Sequence, residues 1–423
     1  MTPLSLLVAA TLTATLTPHI ELYTMGEGPH IFERFGHAAL CVVYDEAPPL
    51  SRCYNYGMMD FDTPPLELGW SFLRGTTLFW VEADRLEPMV QLYEQRDRSV
   101  WRQRLPLNPA QARALATALA ENAREEHKFY VYHHFRDNCS TRLRDHLDRA
   151  FGGALSRNAA PTGNTYRSLG RLGLADVTSI LVASDFLVGR GADKELNEYE
   201  RMFLPRYLRQ GVQDRLGVPP EVIYLRKGPP MPHEVQSGRG LVVGVSLGFA
   251  LLLIAIGRRR PRMAQRMAAL LLGGLGLVVW GVALASTIPE LTYNEVLAVL
   301  VPFDLGLLFL DGRRMIRYVR LRIAGLLLVS ILVATGVFIQ PILTVILVPF
   351  LLLGALLVPT SPTSAASSPT PVDAPEPSND PAPVRAKKRE NAPTSPPAQE
   401  AGKKRPPQRT ARRSRGKRRK RRR

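Results

Sequence analysis

Apolar residues fall into two regimes along the chain. Up to about residue 216 they alternate with polar residues or recur at helical spacing, whereas from Gly240 to Val358 they form long blocks with little charge. In the first regime, Gly36–Tyr44 and Arg52–Gly57 alternate β-branched or aromatic residues between Pro and Gly, which predicts strands. Thr76–Glu82 and Val100–Leu107 read as further strands. Asn108-Pro109-Ala110-Gln111 predicts a helix start, with Asn as cap and Pro at the first position, and the helix runs to about Glu126 with Leu115, Leu119 and Ala123 on one face. Phe129-Tyr130-Val131-Tyr132 leads into a polar turn, Arg136 to Thr141, whose Asp137, Asn138, Ser140 and Thr141 are capping types. Leu143, Leu147 and Ala150 then recur at helical spacing. Residues 19–216 thus predict a mixed α and β domain.

The second regime predicts membrane spans. Gly240–Gly257 and Met267–Thr287 are long enough to cross a bilayer, and Val296–Leu310 is a shorter third span with Asp304 as its one charge. Ile323–Ile339 and Ile342–Val358 make a fourth and fifth, hinged at Gln340-Pro341. The basic loops Arg258–Arg262 and Arg313–Arg322 belong in the cytoplasm, and with five spans that rule puts residues before Gly240 outside and those after Val358 inside. The start, Pro3 to Leu16, has the apolar core of a secretory signal without its positive n-region; a buried strand or helix is the alternative. The expected organisation is a signal-like segment 1–18, an exported domain 19–216, a linker 217–239, a five-span domain 240–359 and a tail 360–423.

Charge changes the picture only at the end of the chain. The net charge is +18, and residues 360–423 hold 18 Lys and Arg against 5 Asp and Glu, a net +13. Basic character therefore says nothing about what the N-terminal domain acts on. The tail is rich in Pro, Ser and Ala and is expected to be disordered. Its end, Arg412–Arg423, suits anionic lipid headgroups better than nucleic acid, because it is tethered beside a membrane.

The candidate chemistry centres on Cys139. A thiol at a helix N-terminus meets oriented N–H groups and the positive end of the dipole, so its thiolate is expected to be favoured. Its expected partner is His37, at the head of a strand in Arg34-Phe35-Gly36-His37-Ala38. A Gly-His on a strand edge is more often structural when it stands alone, but a lone Cys in a polar turn is not the setting of a structural thiol. His127, His133 and His134 lie nearer Cys139 in sequence and lack the strand-head setting; His134 is the alternative base. His37, His133 and His134 show no regular metal-ligand spacing, and neither a metal nor another cofactor is expected. Asn55 and Asp60 both follow the strand that should pair with that of His37, and either would orient its ring. Asn138 and the Cys139 backbone N–H are candidate donors to an oxyanion. The remaining cysteines, Cys41 and Cys53, would meet across a hairpin as a disulfide, leaving Cys139 unpaired; the alternative is that both are simply buried.

Phe35-Gly36-His37-Ala38-Ala39, Tyr54-Asn55-Tyr56-Gly57, Asp60-Phe61, Phe72-Leu73-Arg74-Gly75 and Asp137-Asn138-Cys139-Ser140-Thr141-Arg142 occur in this order. The set resembles the N-terminal periplasmic domain of the Lnb-type lipoprotein N-acyltransferases. Glu200-Arg201-Met202-Phe203-Leu204-Pro205 is similar to that domain's closing segment, and Pro289 to Asn294 to an outer loop of its membrane bundle. Ser140 stands where a Thr is common, and the basic tail is not a family feature. The resemblance implies an α+β, circularly permuted papain-like (NlpC/P60-like) fold with the His strand before the Cys helix. It further implies a Cys139 nucleophile, a His37 base, a phospholipid acyl donor and a diacylated lipoprotein acceptor at the inner membrane. A cysteine hydrolase of lipid ester or cell-wall peptide would use the same two residues, and a non-enzymatic sensor or scaffold would need neither.

Overall fold

A computed structural model describes residues 16–60, 62–232 and 238–359. The core of the signal-like segment and the whole basic tail lie outside the described residues.

The N-terminal domain is built on a seven-stranded antiparallel sheet in the order β6-β4-β3-β2-β1-β5-β9. Its strands are β1 (His19–Met25), β2 (His37–Val43), β3 (Arg52–Met58), β4 (Leu78–Asp84), β5 (Val100–Arg104), β6 (Phe129–Val131) and β9 (Glu221–Tyr224). A separate ribbon pairs β7 (Pro161–Thr165) with β8 (Glu195–Asn197). Around them run α1 (Pro65–Arg74), α2 (Leu86–Gln95), α3 (Pro109–Asn122), α4 (Cys139–Ala150), α5 (Tyr166–Gly173), α6 (Thr178–Leu187) and α7 (Pro205–Leu216). The helix predicted at Asn108 starts with the expected cap: the Asn108 carboxamide oxygen accepts from Ala110 and Gln111 N–H, and Gln111 reaches back to Asn108 N–H. The segment expected to be a linker adds the edge strand β9, because Glu221–Tyr224 pairs with β5.

The period of two along the strands sorts side chains onto two faces. Ile20, Leu22, Ala38, Leu40 and Tyr54 pack with Leu115 and Leu119 of α3 and Leu143 and Leu147 of α4. Tyr23, Met25, Ala39, Cys41, Cys53 and Val100 pack with Met89 of α2. Full burial of each large apolar side chain contributes about 1.5–3 kcal/mol. The sheet is thus sandwiched between the α4 helix and α2, and by parity His37 and Asn55 belong to the α2 face.

Beyond residue 238, three stretches are long and apolar enough to cross a membrane: Arg239–Gly257 (α8), Pro261–Ala285 (α9) and Pro289–Leu308. The third is broken into one α-turn at Pro289–Thr292 and 3-10 turns at Glu295–Ala298 and Pro302–Leu308, since Asn294 caps Val296 N–H to start a new turn and Pro302 interrupts the stretch. It packs closely on α9: a Cβ on Gly276 would fall 2.5 Å from the Val301 carbonyl carbon. Asp304, fully buried, accepts from Tyr318 at 2.7 Å and from Arg322 at 2.9 and 3.1 Å.

The last two expected spans differ from the prediction. The helix Gly312–Ala334 (α10) takes in the whole of the expected loop Arg313–Arg322 and stops before Ile339, with Gly336 at φ +75° just beyond its end. Leu343–Ala355 (α11) has 13 residues, short of the roughly 20 that a straight span needs.

Candidate active site

Cys139 is the first residue of α4, and the turn before it is locked by side chains. The Asn138 carboxamide oxygen accepts from Ser140 and Thr141 N–H at 2.9 and 3.0 Å, while Thr141 Oγ1 accepts from Asn138 N–H at 2.7 Å. A cap of this kind stabilises a helix start by about 1 kcal/mol. The Asn138 NH₂ group donates to the carbonyls of His134 at 2.7 Å and Phe203 at 3.1 Å. This corrects the expectation for Asn138: both N–H donors are consumed by main chain, so the residue builds the turn and offers no side-chain donor to an oxyanion. The turn is closed further by His133 N–H to Asp137 O at 2.9 Å and by the Arg142 guanidinium on the Asp137 carboxylate at 2.6 and 2.9 Å.

The Cys139 sulfur faces the backbone N–H groups of Ala38, Ser140 and its own residue. Contact with the Ala38 amide places the thiol at the head of β2, one residue along the backbone from His37. Gly57, at φ +92° next to a register shift in β3, passes under the cysteine; a Cβ there would lie 3.4 Å from Cys139 Cβ.

His37 Nε2 lies 3.0 Å from Asn55 Oδ1. Asn55 Nδ2 donates to Asp84 Oδ2 at 2.9 Å and to Cys53 O at 3.3 Å, which fixes the amide with its oxygen toward the ring. The imidazole must therefore donate from Nε2 and keep its Nδ1 lone pair, the tautomer suited to receiving a proton. Tyr93 of α2 stacks on His37 with centroids 6.3 Å apart and planes at 15°, and Arg98 sits 4.7 Å over the Tyr93 ring. The Cys41–Cys53 disulfide forms between cross-strand partners of β2 and β3, leaving Cys139 as the free thiol.

The electrostatics depart from the sequence expectation. Burial lowers His37 to about 4, with the Arg98 charge pushing the same way and the Asn55 bond opposing them. Burial also pushes the Cys139 thiol above its ordinary value, against the backbone N–H groups around it. A helix terminus supplies about 0.3–2 kcal/mol, whereas burial of a charge shifts a pKa by several units at about 1.4 kcal/mol each. Desolvation wins, and the resting pair is neutral thiol and neutral imidazole. The expected thiolate is not the resting form.

The other candidates lie apart. Asp60 is exposed and accepts from Asp62 N–H at 2.9 Å, so it does not orient His37. His127 pairs with Glu121 at 3.0 Å on the surface. His134 packs its ring against Phe72 and Tyr132, at 5.3 and 5.2 Å. His133 Nε2 lies 3.3 Å from Glu290 Oε2, and Arg136 donates to the other oxygen at 2.6 Å. Glu290 comes from the loop after α9, so the bundle holds the Cys139 turn from below. Asn294 caps Val296 and also donates to the carbonyls of Phe186 and Leu187 at 2.8 and 3.1 Å.

Sequence reasoning missed Asp84 and Tyr93. Asp84 stands opposite Cys53 in the β3–β4 pairing, so a register for that pair would have found it. Tyr93 reaches the site from a helix on the opposite face, and no local motif marks it.

Fold and site define an α+β protein with apolar helices long enough to cross a membrane, a free thiol at a helix start that faces the Ala38 amide, and an oriented histidine one residue before that amide. Residues 16–171 match the family model described as the Lnb N-terminal periplasmic domain. That part of the chain is similar to the family which its motifs resemble. No curated protein and no solved structure matches the chain.

Proposed function

We propose that this protein is an inner-membrane cysteine acyltransferase that moves an acyl chain from phospholipid to the N-terminal amine of diacylglyceryl-cysteine lipoproteins. The observation that carries the reading is a free Cys139 at a helix start, its sulfur facing the Ala38 amide, with the oriented His37–Asn55–Asp84 chain starting one residue earlier on the same strand. This arrangement sits in a domain similar to the Lnb N-terminal periplasmic domain and attached to apolar helices. The order of His strand and Cys helix fits a permuted papain-like fold, and α10 and α11 would complete a five-helix bundle.

In the first half-reaction His37 Nδ1 takes the Cys139 proton as Sγ attacks the ester carbonyl. The ester C–O bond breaks, the glycerol oxygen leaves with the proton from His37, and a thioester and a lysophospholipid result. In the second, the neutral lipoprotein amine attacks the thioester carbonyl and gives a proton to His37. The C–S bond breaks and the thiol recovers its proton, leaving an amide. The Cys139 N–H at the helix start is the backbone donor for both oxyanions. A neutral resting pair suits this cycle, because the base is already unprotonated at neutral pH.

The test is mass spectrometry of a reporter lipoprotein in a host depleted of its own N-acyltransferase. A third acyl chain should appear with the intact protein and be undetectable with Cys139→Ala. Release of free fatty acid from labelled phospholipid, with no acyl chain gained by the reporter, would replace the transferase reading with a hydrolase.

A further inference from the structure

α1 turns its apolar residues in two directions. Leu68 and Phe72 pack into the sheet core, but Leu66 is 90% exposed and Trp70 57% exposed. Leu66, Trp70 and Leu73 recur at i, i+4 and i+7, so they form one stripe on the side away from Leu68 and Phe72. Removing Leu66 and Trp70 from water would contribute several kcal/mol, yet nothing in the domain covers them. Isolated exposed apolar residues are ordinary; a stripe on a ten-residue helix is not.

The position of this helix says what covers it. The Thr287 hydroxyl, just past the end of α9, donates to the carbonyl of Arg74, the last residue of α1, at 2.5 Å. A Cβ on Gly75 would meet Ile288 at 3.1 Å. Leu284, one turn back along α9, is 79% exposed on the bundle surface. The apolar surface of a helix long enough to span a membrane therefore runs on into the stripe of α1, at the level where that helix ends. Ile31, 41% exposed on the turn Ile31–Glu33, extends the same kind of surface, and its neighbour Phe32 stacks on Phe72 at 6.4 Å. Tryptophan at a helix end level is the residue most at home in the headgroup region.

We propose that α1 is an interfacial helix whose Leu66–Trp70–Leu73 stripe lies in the outer leaflet of the phospholipid bilayer, at the boundary between headgroups and acyl chains. This deepens the acyltransferase reading and, in its second part, rests on it: the inner face of the same helix begins a lane of rings toward the thiol. Phe72 meets the His134 ring at 5.3 Å, His134 meets Tyr132 at 5.2 Å, and Phe72, Tyr132 and Cys139 all pack against the same core. An acyl chain leaving the leaflet beside Trp70 would reach Cys139 along apolar and aromatic surface throughout.

The location is tested without activity. Full-length protein carrying Leu66→Cys in a Cys139→Ser background is labelled with bimane and placed in phospholipid nanodiscs, with Ala114→Cys, exposed on α3, as reference. Shallow-brominated phospholipid should quench the label at 66 several-fold more than that at 114, and aqueous iodide should do the reverse. A label at 66 that iodide quenches fully and brominated lipid does not would overturn the proposal, whatever the enzyme's activity. The route is tested with Leu66→Glu/Trp70→Glu in the otherwise intact chain. Acylation of Cys139 by bilayer phospholipid should fall about tenfold or more, while its alkylation by iodoacetamide stays unchanged. Equal loss of both reactions, or of neither, would overturn the route. A membrane-shielded label at 66, together with failure of the unsubstituted chain to add an acyl chain to any lipoprotein, would sink the transferase reading and leave the interfacial helix standing.

Discussion

Two buried polar networks in this molecule use similar parts and end differently. Inside the bundle, Asp304 accepts from Tyr318 and twice from Arg322, and Arg322 spends a further N–H on the Val299 carbonyl at 2.8 Å. Each strong group there finishes on a partner. At the head of β2, Asp84 holds Asn55 and Asn55 holds His37, but the chain of bonds stops at an imidazole whose second nitrogen keeps its lone pair, one residue before the Ala38 amide that the Cys139 sulfur faces. A saturated network does structural work. One that ends on a titratable nitrogen beside a nucleophile is available for proton transfer.

The comparison can be broken in four ways. The largest effect belongs to the open end: His37→Ala should lower acyl transfer by about 10²–10⁴-fold, read from the rate of triacylated reporter formation, in protein that still folds. Next, Arg322→Met leaves Asp304 buried without its partner and should cost about 3–5 kcal/mol of stability, seen as a lower midpoint in a thermal melt in detergent. Adding Asp304→Leu should recover most of that loss, whereas no second change should restore the His37 variant. Should Arg322→Met instead leave the melt unchanged and abolish transfer, the bundle network would not be structural. Asn55→Ala, which frees the ring without removing it, should cost about tenfold to a hundredfold in rate through misorientation alone. The smallest effect is one of profile. With His37 at about 4, Cys139 acylation by a small neutral ester should be half lost only near pH 4 and flat through neutrality. Alkylation of Cys139 should keep rising with pH to a midpoint above that of an ordinary thiol, because burial disfavours the thiolate. A plateau of alkylation below pH 7 would mean a thiolate–imidazolium pair and reverse the electrostatic argument.

Local patterning carried much of this site. Asn138 through Thr141 read as a helix start, and the alternation in 36–44 and 52–57 placed His37 and Asn55 on adjacent strands, because capping and period-two burial act over a few residues. What escaped was long-range or competitive. Asp84 becomes a neighbour only through β3–β4 register, and Asp60, equally close in sequence, turns out to solvent. The charge state of Cys139 was misjudged because a helix terminus is visible in sequence and depth of burial is not. Hydropathy found the apolar blocks after Gly240, but not that the third would be broken at Asn294 and Pro302, nor that the last helix would be so short.

The Cys41–Cys53 bond joins the two strands that carry His37 and Asn55, at positions that face each other only in the native pairing, with Ala39 opposite Asn55. A slip of one residue would send Asn55 to the opposite face of the sheet and carry Cys53 away from Cys41. Closing the bridge therefore acts as a proofreading step. Only a chain threaded in the correct alignment can be sealed, and once sealed it cannot lose the alignment that brings the imidazole and its carboxamide together.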